Sequence, residues 1–235
     1  MTDPIGKAEV GRVEGSTAFS MTKIFEVLSD DIELVYPRTP LENGMARYPN
    51  PVILSQGKRR ALIRAIFAFV EGMSYSQRVA LLHRYSYKLA PHVAMALKEK
   101  QIEITNGGKV RTKSIKSSLM SLVRLTIEQY VECYQGELSL SCSGSGFEGL
   151  VSSVQVRDRL MHPRSEHDLF VKDDEILRAV RGWVWFSQIY ADMLVAEFED
   201  LRRLAITRGN IEALEGEQHQ KVLQIVEFIK EKRSI

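Results

Sequence analysis

The sequence predicts an all-α fold: a helical bundle with one short β-hairpin or finger inserted and an N-terminal extension in front. Three observations predict it. Apolar residues recur three and four positions apart through most of the long segments, the signature of helices with one buried face. A single pair of β-type runs, on either side of Asn106-Gly107, breaks that pattern. Four prolines, Pro37, Pro40, Pro49 and Pro51, crowd between Tyr36 and Pro51 and set the first part of the chain apart from the rest.

Taken in order, residues 1–20 are polar and without a sustained period, and read as a loose tail. A short helix is predicted from Thr22 to Leu34, carrying Ile24, Phe25, Val27 and Leu28. The proline-rich stretch, which also holds Asn43-Gly44, follows as loop. From Ser55, the run Leu62, Ile63, Ile66, Phe67, Phe69 and Val70 predicts a strong amphipathic helix to at least Glu71, continuing or restarting through Val79, Leu81, Leu82 and Tyr85. A third helix is predicted from His92 to Lys100. The hairpin comes next, because Asn-Gly accepts positive φ at both turn positions.

Ser114–Tyr134 is predicted helical, with Ile115, Leu119, Leu122, Val123, Leu125, Ile127 and Val131 as its buried stripe. Residues 135–146 are rich in Ser and Gly and read as a loop. Phe147–Met161 is a shorter helix that must end at His162-Pro163, because proline disfavours helical φ/ψ in the residue before it. Asp173, followed by Asp174 and Glu175, caps a long helix to Thr207. Gly209-Asn210 breaks that helix, and Ile211–Lys232 is a last amphipathic one. The simplest organisation is an extension over 1–54, a bundle over 55–207 and a C-terminal helix over 208–235 that packs on the bundle or at a dimer interface.

Composition narrows the function classes. The chain of 235 residues carries 32 Lys and Arg against 30 Asp and Glu, a net charge of +2. That balance excludes a globally cationic nucleic-acid binder but leaves room for a local basic patch. Cys133 and Cys142 have no second pair and no neighbouring His, so reduced thiols are expected and a zinc site is not. No charged-then-apolar leader follows Met1, and no apolar run reaches the roughly 18 residues of a spanning helix. A soluble, cytoplasmic protein without membrane association is therefore expected. A phosphate loop with the P-loop lysine, a GxGxxG after a strand, His-Glu-x-x-His, Gly-x-Ser-x-Gly and a calcium loop are absent from the sequence, and no cofactor or metal is expected.

One segment carries chemistry: Val156-Arg157-Asp158-Arg159-Leu160-Met161-His162-Pro163-Arg164. A second Arg/His pair at the same spacing, Arg78 and His83, lies inside a continuous helical pattern. There, side chains five residues apart point about 140° from one another. His162 escapes that constraint, because Pro163 ends the helix at it. Arg157 offers a planar, permanently charged fork for a phosphate, and an imidazole can exchange protons near neutral pH. Asp158 can orient either partner, while Arg159 and Arg164 add positive field suited to RNA.

On Arg157, Asp158 and His162, as Arg-Asp-x-x-x-His, the sequence resembles the HEPN superfamily of all-helical domains. The helix order from Gln56 to Ala205, with the capped helix bearing Trp183, Trp185 and Phe186 after the motif, is similar too. The resemblance implies a metal-independent endoribonuclease that leaves a 2′,3′-cyclic phosphate, with Arg157, His162 and Asp158 catalytic. It implies a homodimer whose two motifs face one another, supplying acid and base together. It also implies a toxin–antitoxin or phage-defence setting, with an antitoxin or defence-system protein as partner. A non-catalytic helical adaptor binding protein or RNA is the alternative, and a small-ligand bundle with an apolar pocket is a third reading. Without the resemblance, Arg157 and Asp158 read as a surface pair beside a helix-ending His162 whose charge suits the C-terminal dipole.

Other residues stay open on sequence alone. Glu71 is either a polar support for the motif or a solvated glutamate. Tyr75, Tyr85 and Tyr87 either stack on bases or rim the core, and Lys109, Arg111, Lys113 and Lys116 either contact RNA or form an exposed charged loop. Trp183 and Trp185 cannot share a helix face, so one packs in the core and the other faces an interface.

Overall fold

The computed structural model describes residues 22–40, 46–134 and 138–207, together with 220 and 224. The tail over 1–20, Asn43-Gly44 and, apart from those two positions, the C-terminal helix lie outside the described residues. The protein is mostly α-helical with small two-stranded sheets. In order come α1 (22–35), a two-residue strand pair β1 (Thr39–Pro40) and β2 (Ala46–Arg47), a 3-10 turn at Pro51–Ile53, and α2 (Gln56–Arg84). Then follow α3 (Pro91–Leu97), β3 (Lys100–Ile104), β4 (Val110–Ser114), α4 (Leu119–Cys133), α5 (Gly144–Met161), a 3-10 turn at Glu166–Leu169, and α6 (Asp173–Thr207). None of the described helices is long and apolar enough to cross a membrane.

The described chain divides into two compact units. One, the motif unit, combines residues 22–73 with those from 142 onward. The other, the hairpin unit, is residues 74–141. Helix α2 contributes to both, its first part to the motif unit and its last part to the hairpin unit.

In the motif unit, all six apolar residues predicted for the first stretch of α2 are buried. Residues 22–54 supply core as well. Phe25 stacks on Tyr190 at 5.5 Å and meets Phe69 edge-on at 5.6 Å. Tyr36 stacks on Tyr48, which in turn sits edge-on against Trp183 at 5.2 Å. Phe25, Ser29, Ile32 and Tyr36 form the buried face of this region at helical spacing, whereas Val27 is exposed. Trp183 is fully buried, and Trp185 is half-buried against Phe147.

Helix α5 packs along α6, and glycines bring the two backbones together. A Cβ on Gly182 would lie 2.7 Å from Leu150 N and 2.8 Å from Leu150 Cα, and one on Gly149 would lie 2.7 Å from Arg178 O. Helix α6 starts at Asp173 as expected, but the capping position belongs to Lys172. Its carbonyl accepts from Ile176 N, and its own N–H donates to the Glu175 carboxylate at 2.9 Å.

In the hairpin unit, the buried face of α4 is Leu122, Val123, Thr126, Ile127, Tyr130 and Cys133. The helix starts at Leu119 rather than at Ser114, which pairs in β4, and of the expected stripe Ile115, ahead of the helix, and Leu119, Leu125 and Val131 are only half-buried. Tyr130 stacks on Tyr134, whose hydroxyl meets that of Tyr85 at 2.8 Å. The hairpin pairs Lys100 with Ser114 through Ile104 with Val110. Its turn differs in type from the two-residue form. Gly108 N donates to Thr105 O, Thr105 N donates to Lys109 O, and the positive φ of +74° falls on Gly108. This is a three-residue loop closed by a glycine bulge, so the second glycine rather than Asn106-Gly107 makes the reversal.

Candidate functional site

The motif lies on the last turns of α5, in the motif unit. Pro163 ends the helix at Met161, as expected, and His162 leaves it with φ −133° and ψ 59° while its N–H still donates to Asp158 O at 3.1 Å. Arg157 points back onto α2. Its guanidinium lies over the Phe67 ring, 5.1 Å from the centroid, and donates to the Glu71 carboxylate. Its Nε and one terminal nitrogen both reach Asp158 Oδ1, at 3.0 and 2.8 Å. Glu71 is thus a partner of the motif, and Asp158 orients Arg157. The ring and two carboxylates fix the plane of the fork from three sides.

His162 is exposed, and its imidazole makes no hydrogen bond or ion pair with another described residue. The same holds for the guanidinium of Arg164, whose backbone N–H donates to Asp168 Oδ2 at 2.8 Å. Arg159 turns the other way. Its fork grips Glu175 at 2.8 and 2.6 Å and also donates to the carbonyls of Asp168 and Phe170. Four of its N–H groups are so engaged, and Arg159 holds the segment after the motif in place.

That segment has a second clamp that sequence reasoning missed. The start of α2 presents a row of polar side chains to it. Gln56 exchanges two hydrogen bonds with the Val171 backbone, at 3.0 and 2.8 Å. Buried Arg59 reaches Val171 O at 2.9 Å and Asp173 at 2.6 Å, Arg60 reaches Leu169 O, and Arg64 reaches Leu160 O at the end of α5. The spacing of Gln56, Arg60 and Arg64 at i, i+4, i+8 is the only trace of this in the sequence, and it resembles an ordinary solvated helix face. Arg78 is buried in the hairpin unit, bonded to Leu97 O and Glu99, and both it and His83 lie within continuous α2.

Two carboxyls in the clamp are held below their ordinary values. For Asp168, the Arg164 backbone N–H is the largest cause, with the Ser165 N–H and hydroxyl adding to it. For Glu175, burial pushes upward, but the Arg159 fork and the Lys172 N–H outweigh it. Groups with lowered folded values stabilise the fold above their unfolded pKa and lose that contribution as pH falls through the folded one. The ordinary values are 4.5 for Glu175 and 3.8 for Asp168. Segment 163–172 is therefore expected to loosen once pH drops below about 4.5, read as faster amide exchange at Asp168 and Phe170. Arg159→Met should loosen it already at neutral pH. Unchanged exchange down to the global acid transition would show that the clamp contributes nothing.

No family model matches this sequence, and no curated protein or solved structure is matched by it.

Proposed function

We propose that this protein is a metal-independent endoribonuclease of the HEPN type, working as a homodimer in the cytoplasm in a toxin–antitoxin or phage-defence setting. The observation that carries the reading is the presentation of Arg157: a fork oriented by Phe67, Glu71 and Asp158, five residues before an exposed His162 whose imidazole bonds to no described residue.

In this reaction the RNA 2′-oxygen attacks the neighbouring phosphorus, its proton passes to a base, and the P–O5′ bond breaks. The 5′-oxygen takes a proton, leaving a 2′,3′-cyclic phosphate and a 5′-hydroxyl. One His162 accepts the first proton and the partner subunit's His162 gives the second. Arg157 stabilises charge on the phosphorane. It must first release its carboxylates, and that exchange is cheap. The Glu71 and Asp158 side chains are 51% and 58% exposed, so each ion pair is worth about 0–1 kcal/mol. A phosphate that accepts two N–H bonds from the fork replaces them readily. Arg164 adds a positive charge beside the motif.

The same pairing favours a second reading, the non-catalytic adaptor. Two carboxylates already neutralise Arg157, as in a structural ion-pair cluster. Incubating transfer and messenger RNA with the protein in excess chelator separates the two. Cyclic-phosphate ends that disappear in the Arg157→Ala/His162→Ala variant support the nuclease. Intact RNA leaves the adaptor.

A further inference from the structure

The β3–β4 hairpin and its base hold charge that the nuclease reading does not use. Residues 98–116 contain six cations, Lys98, Lys100, Lys109, Arg111, Lys113 and Lys116, and two anions, Glu99 and Glu103. Their net charge is +4, against +2 for the whole chain, so the remainder of the protein is net negative. All six cations are exposed. Both anions are engaged: Glu103 pairs with Arg111 at 3.0 Å, and Glu99 pairs with buried Arg78 at 3.1 Å. The five lysines form no ion pair with a described residue.

Side chains on both faces of the ribbon are exposed. Gln101, Glu103, Arg111 and Lys113 alternate with Ile102, Ile104, Val110 and Thr112, and Ile102, Ile104 and Val110 are 60–71% exposed. An isolated two-stranded ribbon is marginal in water. This one is pinned at its root. Glu99 adopts a φ of 52°, its carbonyl accepts from Ile115 N, and its carboxylate binds Arg78. Arg78 also lies 5.7 Å from the ring centroid of Tyr75, which is 62% exposed. An exposed aromatic ring beside a ribbon whose ammonium groups pair with no described residue is the combination that takes up a single nucleic-acid strand, bases on the ring and phosphates on the lysines.

We propose that the hairpin and Tyr75 form a docking surface for single-stranded RNA. The choice of RNA rests on the nuclease reading; the surface itself does not. The test measures anisotropy of a fluorescein-labelled unstructured RNA with the full chain carrying Arg157→Ala and His162→Ala, so that the probe survives. Changing Lys100, Lys109, Lys113 and Lys116 to Gln should weaken binding at least about tenfold and flatten the log–log salt slope by up to about three. Tyr75→Ala should weaken it about tenfold and leave the slope unchanged. Thermal melts confirm that both variants are folded.

Equal affinity and slope in the lysine variant would overturn the proposal. DNA of the same sequence offers the same phosphates and base faces and should bind comparably, the choice of RNA coming from the nuclease reading. Self-association abolished by Ile102→Thr/Ile104→Thr with RNA affinity intact would reassign the ribbon to a second copy. Because the probe is read without cleavage, ribbon-dependent binding alongside intact RNA in the cleavage assay would sink the nuclease alone. Cleavage without ribbon-dependent binding would sink this surface alone.

Discussion

His162→Ala is expected to lower RNA cleavage by about 10²–10⁴-fold, the usual contribution of a positioned proton-transfer group. The side chain is exposed and bonded to no described residue, so stability should stay within about 0.5 kcal/mol of wild type. Loss of activity in a protein that melts normally is therefore the diagnostic result. Arg157→Ala should cost about 10²–10³-fold as a lost electrostatic stabiliser. It also removes packing on Phe67, so Arg157→Lys is the cleaner variant. Lysine keeps the charge but cannot make two parallel bonds to one phosphate, and activity should still fall. The double variant should lose no more than about as much as the worse single, because both residues serve one step. Single-turnover cleavage with end-group analysis measures all of this. Full activity in His162→Ala would refute the assignment.

Gly182→Ala is expected to destabilise the motif unit by about 2 kcal/mol or more, against the trend for helical glycines. In an ordinary helix the change gains about 1 kcal/mol of propensity. Here the new methyl would meet Leu150 N, Cα and Cβ at 2.7–2.9 Å. Two of those are backbone atoms of a packed helix, which cannot rotate away, so α5 must move off α6. Overpacking of this kind typically costs about 1–3 kcal/mol and occasionally more. The clash outweighs the propensity. For a chain of this size the melting temperature should fall by several degrees, at about 2–4 °C per kcal/mol. Because α5 carries Arg157 and His162, cleavage should fall with it. Gly57→Ala, at a helical site with nothing within 4 Å of the new methyl, is the control and should be neutral or stabilising. A stabilised Gly182→Ala protein would disprove the tight crossing.

What the sequence revealed and what it hid separate on range. Helix α6 spans the predicted residues, α5 ends at the predicted proline, and the apolar stripe of α2 is buried as its period requires, because each depends on neighbours within a few positions. The motif pair Arg157–Asp158 was visible for the same reason. Gln56, Arg59 and Arg60 were not, since their partners at Leu169, Val171 and Asp173 lie more than a hundred residues away and a polar helix face looks alike whether it meets water or a backbone. Thr126 and Tyr130 escaped the predicted stripe of α4 because an apolar count passes over residues that bury a hydroxyl on a hydrogen bond: Thr126 on Leu122 O, and Tyr130 on Gln77 O. The turn type was missed because Gly107-Gly108 offers two places for positive φ, and only the cross-strand bonds choose between them.

The clamp between the start of α2 and Val171 has a consequence for how the chain is made. Residues 56–64 leave a ribosome long before 160–173, and the intervening hairpin unit is a continuous segment. Contacts of such long sequence separation form late, after the closing of a large loop, whereas the contiguous segment can order itself first. A nascent chain that stops after α4 holds Glu71 and Phe67 but no Arg157, and a chain that stops at Arg164 has the motif without its Val171 anchor. The Arg157 cluster is therefore anchored only when synthesis has passed the start of α6. In pulse-labelled refolding, amides of 119–133 should be protected before those of 144–161. A protein that cuts RNA would in this way stay inert while its own message is still being read.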